Sequence, residues 1–236
     1  MKKFLMIPML VAVLLVSMSL ILVGCGNSSG NNTPPPNIMI NQIFGGRGGN
    51  ENTPISHDFI ELYNSKNSYV DISNWTLHVS SSRMRAFSGT RVFPNGTVIP
   101  ARHSFLIRGA AMTSSTFLRE ENPIPHVLEI LAYDMDWINA VLDNDDYMHV
   151  VLRDSEGYVI DAFSNRAGAP LRGEVASNTT SRQRSARRIN FQNTNDNASD
   201  FQGVAWGISN NLGLNGIRGV VETHRPRSLA DGAWGM

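Results

Sequence analysis

The sequence predicts an all-β fold, and three observations carry that reading. Apolar runs are short and are separated by clusters of Gly, Pro, Asn, Asp and Ser, the rhythm of strands and turns. Trp75, Leu77 and Val79 alternate with Thr76, His78 and Ser80, which fits a half-buried strand. Two further runs, Tyr147 to Asp154 and Tyr158 to Ser164, flank Ser155-Glu156-Gly157, a hairpin turn. The 236 residues contain 20 Lys+Arg and 20 Asp+Glu, and 42% are hydrophobic. Zero net charge excludes a nucleic-acid binder that works by overall basicity. One cysteine excludes a disulfide scaffold and a multi-cysteine zinc site. The length suits one or two domains with a sizeable core.

The first element is an export signal. Met1-Lys2-Lys3 precedes an apolar run from Phe4 to Val23, a charged region followed by a hydrophobic one. The run is long enough for an uncleaved membrane helix, which is the alternative reading. Leu22-Val23-Gly24-Cys25 resembles a bacterial lipobox, and Cys25 is the only cysteine. On that resemblance residues 1–24 are a signal peptide, cleavage follows Gly24, and Cys25 is lipidated on sulfur and acylated on its new amino group. Two or more acyl chains hold a membrane stably, at about 0.8 kcal/mol per buried CH₂. The mature chain would then be slightly acidic, with Lys66 its only lysine. Residues 25–37 continue as a tether: Gly, Ser and Asn bury nothing, and Pro34-Pro35-Pro36 favours an extended chain. The expected location is extracytoplasmic, at the surface of the bacterial cell membrane.

Strands follow from residue 38. Ile38 to Phe44 ends at Gly45-Gly46-Arg47-Gly48-Gly49, and Asp58 to Tyr63 ends at Asn64-Ser65. Trp75 to Ser80 comes next, then Met84 to Phe87 and Arg91 to Phe93 around Ser88-Gly89, Thr97 to Ile99 after Pro94-Asn95-Gly96, and Ser104 to Arg108. Residues 110–142 break the rhythm. Their apolar positions are irregular and interrupted by Pro123 and Pro125, which suggests an insertion with one or two short helices over one end of the sheet. After the 147–164 hairpin, residues 165–200 are polar and Arg-rich. Phe201 to Trp206 closes the body at residue 206, and 207–236 form a C-terminal extension ending in Arg225-Pro226-Arg227 and Trp234.

Several phrases in this order carry a resemblance. They are Ile40-Asn41-Gln42-Ile43-Phe44, Asp58-Phe59-Ile60-Glu61-Leu62-Tyr63-Asn64, Val70-Asp71-Ile72-Ser73-Asn74-Trp75-Thr76-Leu77 and Phe93-Pro94-Asn95-Gly96-Thr97-Val98-Ile99. Ser104 to Arg108, Val150 to Asp154, Val159 to Asp161 and Asn195 to Phe201 continue the series. Residues 38–206 thus resemble the lamin-tail domain, which implies an immunoglobulin-like β-sandwich of the kind found in exported bacterial proteins. Phe59, Ile60, Leu62, Trp75 and Leu77 are its core signature here. Trp75 is the expected centrepiece, since a small sandwich needs large inward side chains from both sheets. Asp71 or Ser73 should bond local amides in the turn before it. Glu61, between Ile60 and Leu62, should be exposed or paired with arginine rather than catalytic.

Chemistry candidates are few. No two of the six histidines fall at metal-ligand spacing on one element, and adjacent His57 and Asp58 point to opposite faces of a strand. Gly26 to Gly30 matches G-x-S-x-G without the strand and helix a nucleophile elbow requires. Gly45 to Gly49 lacks the Lys-Ser/Thr of a phosphate loop. Asp143, Asp145 and Asp196 lie in oxygen-rich clusters that could hold calcium weakly, although turn chemistry explains them more simply. Residues 166–190 carry six arginines against one glutamate, and Arg182, Arg184, Arg187 and Arg188 are the densest group. Arginine binds phosphate bidentately, so this segment could dock an anionic polymer such as nucleic acid. Surface ion pairing is the plainer reading. The sequence therefore points to a lipid-anchored module that binds an extracytoplasmic protein or polymer without a cofactor. Polyanion binding is the alternative, and an extracytoplasmic hydrolase is the least favoured reading.

Overall fold

The computed structural model describes residues 38–46, 55–80, 89–111, 128–144, 147–166, 180–181, 183–206 and 220–235. Cys25, the tether, Met84 to Phe87, Asp145 and Arg182 lie outside them. Twelve strands appear among the described residues: β1 (Ile38–Phe44), β2 (His57–Asn64), β3 (Val70–Asp71), β4 (Thr76–Ser80), β5 (Gly89–Val92), β6 (Val98–Ile99), β7 (Ser104–Ala111), β8 (Met135–Asp136), β9 (His149–Arg153), β10 (Val159–Ser164), β11 (Arg184–Arg188) and β12 (Phe201–Ala205). One helical turn, α1 (Asn197–Asp200), precedes β12.

The strands form a six-stranded sheet, ordered β12-β11-β1-β2-β7-β8, a four-stranded sheet, β10-β9-β4-β5, and a two-stranded ribbon, β3-β6. Pairing is antiparallel except for β7 with β8. The two large sheets face each other across one core. Ile38, Ile40, Ile43, Ile60, Leu62, Phe105 and Ile107 enter it from one side, and Leu77, Val79, Val150, Leu152 and Phe163 from the other. This is the inward alternation a sandwich requires. Each fully buried side chain of this size contributes about 1.5–3 kcal/mol. The expected sandwich is therefore present, and Ile60, Leu62 and Leu77 occupy its centre.

Two expectations are corrected, for Trp75 and Phe59. Trp75 is only half-buried and packs at the rim of the core. Its N–H closes a turn onto Ile72 O, and the strand begins one residue later. Phe163 and Phe201 (4.9 Å, edge-on) and Phe93 and Phe105 (5.8 Å) fill the interior instead. Phe59 is buried on the outer face of the six-stranded sheet, in a second cluster with Phe44, Ile55, Leu106, Ile130, Val204 and Trp206. Of the 110–142 insertion, residues 112–127 lie outside the described residues, and the described remainder contains no helix. Its residues 134–137 extend along β7, with Asp134 N bonded to Leu106 O and Trp137 N to Arg108 O. The irregular apolar spacing arises because Met135 and Trp137 enter the main core while Ile130 enters the outer cluster.

The outer face of the six-stranded sheet is therefore covered. Val220 and Val221 pack on the apolar cluster at one end, and Trp234 lies over Tyr63 and Ser104 at the other. The turn before β4 forms as expected, with Ser73 N and Oγ both donating to Asp71 Oδ1. No described helix is long and apolar enough to cross a membrane.

Candidate functional site

Strand alternation splits the arginine segment. Successive side chains on a strand point to opposite faces. Ser185 and Arg187 face outward from the six-stranded sheet, while Ala186 and Arg188 face the sandwich interior. Arg184 is exposed at the start of β11. Arg188 is 4% exposed and cannot meet an external anion, which corrects its candidacy.

Arg188 instead joins the two sheets. Its Nη2 donates to Asp161 Oδ2 at 2.6 Å, Nη1 donates to Gln192 O and Asp200 Oδ2, and Nε donates to Ile40 O. The guanidinium also lies 4.4 Å over the Phe201 ring. Ile40 is available because a register shift between Ile40 and Gln42 interrupts the β1–β2 ladder. Its N–H donates to Asp161 Oδ2. Burial pushes the Asp161 carboxyl up, while Arg188 and two backbone N–H groups pull it back. Asp200 also accepts from Thr194 N and Oγ1. These bonds occupy the guanidinium on every edge, so this is a structural centre.

The same register shift aims Asn41 at Glu61 on the outer face. Glu61 is fully buried, against the expectation of an exposed or arginine-paired residue. Asn41 Nδ2 donates to Glu61 Oε1 at 3.2 Å, and Ser104 Oγ donates to the same oxygen at 2.5 Å. Ser104 Oγ accepts from Trp234 Nε1 at 2.9 Å. Tyr63 OH donates to Trp234 O at 2.8 Å, and Phe191 stacks on Tyr63 at 4.3 Å. Burial raises the Glu61 carboxyl to about 7, although Ser104, Arg187, Asn41 and Arg227 each pull it down. Arg187 and Arg227 place their guanidinium carbons 5.2 and 4.8 Å from the Trp234 ring centre. Beside this group, Gln42 Nε2 and Trp206 Nε1 both donate to Ser185 Oγ. Sequence reasoning missed the site because a strand cannot reveal what covers its second face. The one available signal was an aromatic, Trp234, in a Gly-rich tail beside two arginines.

The remaining candidates perform local work. Asp196 caps α1, accepting from Ala198 N and Ser199 Oγ. Asp143 is half-buried, and its neighbour Asn144 donates to Gly45 O. No group of three metal-ligating side chains forms among the described residues. Asp58 is buried and accepts from Gly46 N and Leu142 N, tying the β1 exit to the 128–144 segment. His149 is buried in the four-stranded sheet, where desolvation lowers it to about 4.

Two facing sheets, antiparallel but for the β7–β8 pair, a polar bridge between them and a covered outer face define an immunoglobulin-like β-sandwich module. The chain belongs to the Lamin Tail Domain family, whose model matches residues 31–166, more than half of the chain. The match ends just after β10, so β11, β12 and the C-terminal segment lie beyond it. A crystal structure of a DUF4876 family protein from Bacteroides thetaiotaomicron is similar at 13% identity and a TM-score of 0.46, over 72% of this chain and 71% of that one. No curated protein matches the chain.

Proposed function

We propose that this protein is a lipid-anchored extracytoplasmic lipoprotein whose lamin-tail domain recognises a partner and catalyses no reaction. The observation that carries the anchor is the position of Cys25. The only thiol of the chain stands where an apolar export run stops and a polar, Pro-rich tether starts. A thioether-linked diacylglycerol and an N-acyl chain there supply the two-signal anchoring that a single chain lacks. The tether then lifts the sandwich off the bilayer. Membership of a sandwich family supports recognition over catalysis, and the step from fold to role is analogy. The partner class is an extracytoplasmic protein or polymer. A continuous polyanion surface from Arg182 to Arg188 is disfavoured, because Arg188 is internal.

Labelled palmitate should enter the wild-type protein and be absent from Cys25→Ala. Label retained in the variant would remove the anchor. Cross-linking on intact cells should recover a partner from outside the membrane, and turnover of a nuclease, esterase or glycan substrate by the purified protein would overturn the non-catalytic role.

A further inference from the structure

We propose that the C-terminal segment is a proton-gated clasp, which closes over protonated Glu61 and opens as that carboxyl ionises. The inference does not rest on the lipid anchor or on partner recognition.

The geometry starts with two unsatisfied atoms. Asn41 Oδ1 and Glu61 Oε2 are both buried, and among the described residues neither has a hydrogen-bond donor. They belong to side chains already joined by Asn41 Nδ2–H to Glu61 Oε1. A carboxylate and an amide oxygen cannot satisfy each other, because both only accept. One proton on Glu61 Oε2 changes that: the acid gains a donor, and Asn41 Oδ1, on the side chain already bonded to Glu61, is an acceptor that lacks one. A single protonation event thus removes two buried orphans, each of which would cost about 1–3 kcal/mol if left alone.

The electrostatics agree. Burial is the largest influence on Glu61, and it places the carboxyl near 7 despite the two arginines. The charged and titratable groups facing it come from each neighbouring element: Tyr63 from β2, Arg187 from β11 and Arg227 from the C-terminal segment, with His224 facing Arg187 in turn. Arg102 faces Tyr63 from the turn before β7. Asp231 pairs with Arg225 and also feels Arg227. The segment's second anchor, Asp134, accepts from Leu229 N and is likewise raised by burial.

Two things cover Glu61. Below is the paired sheet, which cannot part without unfolding the domain. Above is the C-terminal segment, held near Glu61 by Trp234 Nε1 to Ser104, Tyr63 OH to Trp234 O, and Trp234 N to Arg102 O. An ionised Glu61 needs water, and lifting this segment is the smaller disruption. Opening restores Glu61 toward its ordinary value of 4.5. By linkage, the open-to-closed ratio then rises about ten-fold between pH 6 and pH 8. The open form uncovers Tyr63, Ser104 and Arg187 on the sheet face.

The test uses the full chain in detergent. Trypsin cleavage after Arg227 is measured at pH 6 and pH 8 and divided by cleavage of a free peptide spanning residues 220–235, which cancels the pH dependence of the protease. The normalised rate should rise about ten-fold in wild type and stay level in Glu61→Gln, whose amide mimics the protonated acid and leaves His224 in place. A level wild-type rate, or the same rise in Glu61→Gln, overturns the proposal. Carbon NMR of the Glu61 carboxyl provides a second reading. It should titrate near 7 in wild type and move down toward 4.5 in Trp234→Ala, and a titration unmoved by that substitution also overturns the proposal.

Discussion

Replacing Arg188 by Met tests how the two sheets are joined. The side chain is 1% exposed and its partners Asp161 and Asp200 are 4% and 1% exposed, so none of the three can recruit bulk water after the change. Met fills much of the removed volume, so the cavity contribution is small. What remains is two carboxyl groups without their cation, an Ile40 carbonyl without its Nε donor and a Gln192 carbonyl without its Nη1 donor. Breaking a buried pair by removing one partner costs about 3–5 kcal/mol. For a domain of this size each kcal/mol moves Tm by about 2–4 °C. The expected outcome is a fall of about 6–20 °C, with a matching drop in guanidinium midpoint at unchanged slope. The triple variant Arg188→Met, Asp161→Asn, Asp200→Asn should recover part of the loss, because neutral amides are less costly to bury. Calorimetry with denaturant titration reads both. A loss below about 1 kcal/mol for Arg188→Met would refute the bridge as a stabilising centre.

Glu61 should make folding stability pH-dependent in a defined direction. Its folded value of about 7 exceeds its ordinary 4.5, so its contribution is complete below 4.5 and is lost as pH rises through 7. Wild type should lose about 2–3 kcal/mol between pH 5 and pH 8, and Glu61→Gln should not; equal pH slopes in urea titrations would contradict this. Phe163→Ala should cost about 3–5 kcal/mol and Trp75→Ala clearly less, since only Phe163 is fully enclosed. The reverse ranking by thermal melts would restore Trp75 as the centrepiece. Gly45→Ala should destabilise strongly, because its Cβ would lie 2.4 Å from Leu142 O and 2.6 Å from Leu142 Cβ, and neither is a yielding side-chain tip. An unchanged melting temperature would show that the β1 exit is looser than the structure implies.

Much of the sandwich was legible because strand alternation is local. Leu77 and Val79 announce their inward face within five residues, and the Ser155-Glu156-Gly157 turn announces β9 and β10. β11 was not legible. Arg-Ser-Ala-Arg-Arg has no apolar alternation, because its inward arginine is neutralised by Asp161 and Asp200, which lie 27 and 12 residues away. β8 is two residues long and parallel to β7, a pairing with no turn signal between the partners. The Glu61 site was hidden for a similar reason. Alternation assigns Glu61 to the outer face correctly, but only a contact between Ser104 and Trp234, 130 residues apart, shows that this face is closed. Arg187 and Arg188 are neighbours in sequence and occupy opposite sides of a sheet, so charge counted along the chain overstated the patch.

The proposed lipid on Cys25 would hold the sandwich outside the cell. Intact-mass and N-terminal fragment spectra of the protein extracted from cell membranes test that most directly. The expected product begins at Cys25 and carries a diacylglycerol thioether, with no peptide from residues 1–24. A chain that begins at Met1, bears no lipid and is recovered from the cytosol would contradict it.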